Sequence, residues 1–132
     1  MRLPLCATVR NAVLGGCLAT AAALPALAEP GVTASEIVVG QNITLQGGKN
    51  AYGVAAHQGA KLYIDEANAA GGVHGRRIVL RTLDDDNQSA RAQANARQMV
   101  RDGAFVLFGS VEGGPSTAIA KVAQETRVPF FG

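Results

Sequence analysis

Short β-branched runs alternate with stretches of helical period along this chain, and that alternation limits the fold more than any other feature. The run Ala104-Phe105-Val106-Leu107-Phe108 contains no polar residue, so it predicts a strand covered on both faces, as in a parallel sheet. Glu36–Ile43 is rich in β-branched residues and bounded by turn residues, which predicts another buried strand. Residues 77–83 and 128–131 supply two more. Helices are expected between them. Across 53–70, Ala56, Ala60, Tyr63, Ile64, Ala67 and Ala70 recur at helical spacing, and Gly71-Gly72 stops the run. Residues 89–101 place Ala92, Ala96, Met99 and Val100 on one face, with Asp84-Asp85-Asp86-Asn87 in front as candidate caps. A third helix is expected over 116–126 after a glycine-rich loop at 109–115.

The order β-α-β-α-β-α-β calls for an α/β fold: a parallel sheet with helices on both faces and right-handed crossovers. Such sheets bind ligands at the carboxyl ends of their strands, which here means loops 45–52, 84–89 and 109–117.

Residues 1–28 are of a different kind. A basic start, an apolar stretch and the closing Pro25-Ala26-Leu27-Ala28 read as a secretory signal cleaved after Ala28. Pro25 breaks the uncharged run and leaves it marginal as a membrane span. A weaker reading takes Leu14-Gly15-Gly16-Cys17 as a lipobox, with Cys17 acylated. Cys6 and Cys17 both fall in this stretch, so residues 29–132 offer no disulfide and no thiol nucleophile. Arg2 and Arg10 account for two of the 12 basic residues, which leaves ten basic against ten acidic groups in 29–132. That balance gives no electrostatic footprint for nucleic acid.

Gly109-Ser110-Val111-Glu112-Gly113-Gly114-Pro115-Ser116-Thr117 lies between a strand and a helix, where free amides and the helix dipole favour an anion. Its spacing approaches that of a phosphate loop, but Pro115 stands where the lysine belongs, which argues against a nucleoside triphosphate. Ser116 and Thr117 can hydrogen-bond a small carboxylate, or the segment is a plain turn with Ser116 starting a helix. Asp84-Asp85-Asp86 has the hard oxygen ligands of a cation or phospho-acceptor site, although caps explain acidic residues before a helix more simply. Tyr52 suits a cleft and a core equally. His57 and His74 lack partners at metal-ligand spacing, and no G-x-S-x-G elbow is present, so the sequence implies neither metal, cofactor nor enzyme.

Several segments together resemble the periplasmic solute-binding proteins of branched-chain-amino-acid-type ABC importers. Ile37-Val38-Val39-Gly40 and residues 47–53 resemble that family's first strand and loop. The stretch from Gly59-Ala60 through Asn68-Ala69-Ala70-Gly71-Gly72-Val73-His74-Gly75-Arg76-Arg77-Ile78 resembles its helix-turn-strand signature and is the most specific part of the chain. Leu83-Asp84-Asp85, Phe108-Gly109 and Val128-Pro129-Phe130-Phe131 extend the likeness over 36–132. The resemblance implies a type I periplasmic-binding fold, with two α/β lobes that trap a small amino-acid-like ligand for an ABC permease in the inner membrane. By that likeness 29–132 would be the N-terminal part of the first lobe, without the rest of that lobe, the hinge and the second lobe. A truncated lobe that transports nothing, inert or regulatory, is the alternative. The family's ligand-holding positions would here be Gly113, Gly114, Ser116 and Thr117, with Tyr52 matching a cleft tyrosine. Glu112 in the same loop would repel an acidic ligand unless it points away or meets a ligand amine.

Overall fold

The computed structural model describes residues 29–132, so the expected signal segment, its cleavage site and both cysteines lie outside the described residues. Strand β1 (Glu36–Ile43) pairs in parallel with β2 (Arg77–Asp84) on one side and β3 (Val106–Phe108) on the other. Strand β4 (Phe130–Phe131) extends the sheet beyond β3, giving the order β2-β1-β3-β4. Helices α1 (Ala51–Ala69), α2 (Ser89–Arg101) and α3 (Gly113–Thr126) make the crossovers.

Side chains alternate across a strand, so each face of the sheet meets a different helix. Met99 of α2 lies against Gly40, which assigns the even positions of β1 to α2. Gly53 of α1 lies against Ile43 and Thr44, which puts α1 on the opposite face. The α/β fold with helices on both faces is therefore as the alternation requires. Its core sits on the α2–α3 side, where Ala92, Ala96, Met99, Leu107, Ile119 and Val122 are all buried. Alanines at 92 and 96 let α2 approach α3 closely, as interhelical packing needs.

The structure departs from the sequence reading at several boundaries. Helix α1 starts at Ala51, not 53, because the Asn50 side chain accepts the Gly53 N–H and caps the first turn. Tyr52 is thus helical, not part of the preceding loop. Helix α3 starts at Gly113, not 116, with Pro115 in its first turn, where a missing N–H costs nothing. The N-cap of α2 is Gln88, without a side-chain cap bond, so Asp84, Asp85, Asp86 and Asn87 do not cap that helix. Regular pairing begins at Val106, and β4 begins at Phe130 because Pro129 has no N–H for the ladder.

The inward face of α1 also differs from expectation. Gly53, His57, Ala60, Ile64, Ala67 and Asn68 turn inward, whereas Ala56, Tyr63 and Ala70 are exposed. Two anchors set this rotation. A Cβ on Gly53 would sit 2.5 Å from the Thr44 carbonyl oxygen, so only glycine lets the first turn approach so closely. At the other end, Asn68 Oδ1 accepts the Ile78 N–H at 2.7 Å and Nδ2 donates to the Ile78 carbonyl at 2.8 Å. One amide thus brackets one residue of β2 as a neighbouring strand would. Asn68→Ala should destabilise the protein by about 1–3 kcal/mol in urea titration, and Asn68→Asp, which keeps only the acceptor, should fall between.

Candidate functional site

The carboxyl ends of β1, β2 and β3 open into three adjacent loops, and buried polar groups tie them together. Thr44 Oγ1 donates to Asp85 Oδ1 at 2.7 Å, and the Asn87 N–H donates to both oxygens at 3.1 and 3.0 Å. Thr44 and Asp85 are fully buried, and Asp85 Oδ2 has no hydrogen-bond partner. Asp84 accepts the N–H groups of Leu45 and Asp86 and the Gln46 amide. Asp86 pairs with Lys49, with Arg91 at 3.9 Å. The three aspartates therefore fasten the β1–α1 loop to the β2–α2 loop, each through its own partners. Composition alone did not separate that role from capping or cation binding.

A second tie joins the first turns of α1 and α3. Glu112 turns its carboxylate back into the protein, where it accepts from Asn50 Nδ2, from Ser110 Oγ at 3.0 Å and from the Val111 N–H at 3.2 Å. Ser110 is 5% exposed and holds a left-handed φ of 67°, a conformation that costs a serine energy and needs such support. Burial pushes the Glu112 carboxyl up, but hydrogen bonds led by Asn50 and Ser110 outweigh it and hold the group below its ordinary value of 4.5. Burial likewise raises Asp84, and the Asp86 and Leu45 amides more than reverse it. Asp86 is lowered chiefly by Lys49.

All three shifts have the same sign. A carboxyl group whose folded value is depressed adds stability above its ordinary range and loses it as pH falls through the lowered folded value. Thermal melts should therefore show the melting temperature dropping steeply below about pH 4, and Glu112→Gln should flatten that drop. An unchanged acid profile in the variant would mean the Asn50–Glu112–Ser110 tie contributes nothing.

Of the five expected ligand residues, the structure brings three together. Gly113, Gly114 and Thr117 line an open groove with Ser89, Gln93 and Lys121 at the amino ends of α2 and α3. A Cβ on Gly114 would meet Ser89 Oγ at 2.8 Å, so the groove is narrow at that point. The Gly113 and Gly114 amides, as the first of the helix, have no intrahelical acceptor. Ser116 is half-buried and its hydroxyl donates to the Ser110 carbonyl at 3.2 Å, while Thr117 donates to the Gly113 carbonyl at 2.8 Å. Tyr52 stands on the other helix layer, 82% exposed in the first turn of α1 and outside this groove. Sequence reasoning missed Asn50, Thr44 and Ser110. The available signal was polar residues at the apolar ends of strands.

The sequence pattern described as periplasmic binding protein matches residues 36–132. The chain belongs to the periplasmic binding protein family. Among its relatives, the Leu/Ile/Val-binding protein BraC3 of Rhizobium johnstonii is 30% identical over 109 residues, which is 83% of this chain and 30% of that one. The LivJ substrate binding protein of a branched-chain amino acid transporter from Streptococcus pneumoniae, solved in complex with isoleucine, superposes with a TM-score of 0.69 at 31% identity. That match covers 73% of this chain and 28% of LivJ. A substrate-binding periplasmic protein from Ralstonia solanacearum gives a TM-score of 0.68 at 33% identity, covering 74% of this chain and 28% of that one. The chain thus spans about three tenths of the length of these periplasmic binding proteins. The matched range contains both the Asn68 bracket and the three strand-end loops.

Proposed function

We propose that this periplasmic binding protein captures a small amino acid or related carboxylate solute in the periplasm and delivers it to an ABC permease in the inner membrane. On this reading residues 1–28 direct export and are removed after Ala28, and 29–132 form the N-terminal part of one of two lobes that close on the solute. Capture of this kind makes and breaks no covalent bond, so the protein is not an enzyme. The observation that carries the reading is the convergence of three strand-end loops on the amino end of α3, where the Gly113 and Gly114 amides are open to a ligand.

The donors and acceptors there divide by charge. The two amides suit a carboxylate. The hydroxyls of Ser116 and Thr117 have already donated their protons to backbone carbonyls, so their remaining lone pairs suit an ammonium group. Glu112 points back toward Asn50 and Ser110, so it does not block an approaching carboxylate, and its negative charge favours the ammonium end. Tyr52 would lie against the solute from the α1 side. Isothermal titration of L-leucine into the full chain should give saturable one-site binding, weakened about tenfold or more in a Ser116→Ala, Thr117→Ala double variant. Undiminished affinity in that variant would place the solute elsewhere.

A further inference from the structure

Helix α1 presents to solvent a stripe that nothing in the described fold covers. At 3.6 residues per turn, Tyr52, Ala55, Ala56, Leu62, Tyr63 and Glu66 all lie within about 60° of Gly59, opposite the side that meets the sheet. Tyr52, Leu62 and Tyr63 are 82%, 72% and 72% exposed, a concentration of large apolar surface that an outer helix face does not normally carry. Gly59 sits at the centre, and a Cβ built there meets nothing within 4 Å. The fold of one copy therefore does not require glycine at 59, although glycine inside a helix costs about 1 kcal/mol relative to alanine.

The stripe is complementary to itself. If two copies of α1 cross antiparallel with a two-fold axis at Gly59, Ala55 faces Tyr63 of the second copy and Ala56 faces its Leu62. Each large side chain then meets a small one, and the glycines meet at the crossing point, where the backbones come closest. Tyr52 faces Glu66 of the second copy, so a phenol can donate to a carboxylate at each end. Every residue of the stripe has its counterpart in the same stripe, as an isologous interface demands. We propose that this face of α1 is a contact between two copies of the chain. The exposed tyrosines and leucines of a pair supply on the order of 800–1,000 Å², at the low end for a specific interface, so the association is weak and concentration-dependent.

The test uses the full chain with Cys6 and Cys17 replaced by Ser, so that one introduced thiol is the only one. Under mild oxidation Gly59→Cys should form a covalent dimer, while Gln58→Cys, exposed on the same helix but to the side of the stripe, should stay monomeric. In sedimentation, wild type should gain mass with concentration, and Gly59→Leu and Leu62→Glu should each weaken that association at least tenfold with unchanged melting curves. The proposal fails if wild type keeps the mass of one copy throughout, or if Gly59→Cys links no more than Gln58→Cys. Failure of Gly59→Leu to fold would overturn it too, because the stripe would then be covered within a single copy.

Discussion

Replacing Gly72 by Ala is expected to cost about 3–4 kcal/mol, whereas the same change at neighbouring Gly71 should cost about 1–2 kcal/mol. Both glycines hold positive φ, 102° at Gly71 and 73° at Gly72, so either alanine carries backbone strain. They differ in what a Cβ would meet. At Gly71 nothing lies within 4 Å, but at Gly72 the Arg76 carbonyl oxygen would be 2.0 Å away. That oxygen cannot retreat cheaply, because it accepts the Val73 N–H at 2.8 Å, and the Arg76 N–H donates back to Val73 at 3.0 Å. The Gly72 N–H also donates to Ala67 at the end of α1. Pushing the turn open therefore disturbs the end of α1 and the entry to β2 together. Chemical denaturation of the two single variants checks the difference. Equal costs would show that the turn relaxes around the added methyl group.

This pair also shows what was legible in the sequence and what was not. The Asn68 to Ile78 stretch was the most specific part of the chain, and the structure gives it a scaffolding role: Asn68 brackets β2, Gly72 admits the Arg76 carbonyl, and Arg76 Nε donates to Thr33. Patterns were sufficient for β1 and α2, whose observed limits, Glu36–Ile43 and Ser89–Arg101, coincide with the apolar runs. They failed for the rotation of α1. Counting alanines as inward-facing put Ala56, Tyr63 and Ala70 on the sheet side, but alanine is cheap to expose, and the true anchors, Gly53 and Asn68, act through backbone contacts that hydropathy does not record. They failed again at α3, where glycines and a proline read as loop although proline fits a first helical turn.

At the strand ends the limit was distance along the chain. Glu112 was visible as a carboxylate in the loop, but its direction depends on Asn50, 62 residues earlier. Thr44 and Asp85 are 41 residues apart, and neither signals the other in the sequence. Each is a polar residue at the end of a β-branched run, where an unpartnered group could not be buried without cost. Such positions in a parallel α/β chain can be read as members of a cross-loop network even before partners are known.

That network yields the second large effect. Thr44→Val should destabilise the protein by about 2–3 kcal/mol, and Thr44→Ser by no more than about 1 kcal/mol. Valine matches threonine in shape, so packing around the site is kept and only the hydroxyl is lost. That hydroxyl donates to Asp85 Oδ1 and accepts the Asn87 N–H inside a fully buried cluster. Asp85 Oδ2 already lacks a partner, so the carboxyl group depends on its Oδ1 contacts. Without Thr44 a polar group buried at zero exposure keeps only the Asn87 N–H, the circumstance in which a missing hydrogen bond costs most. Serine restores the hydroxyl and gives up one methyl group. Because Thr44 does not line the Gly113–Gly114 groove, any loss of solute binding in Thr44→Val has to come from loosened loops, and Thr44→Ser should recover it. A valine variant as stable as wild type would show that the two loops are held by Asp84 and Asp86 alone.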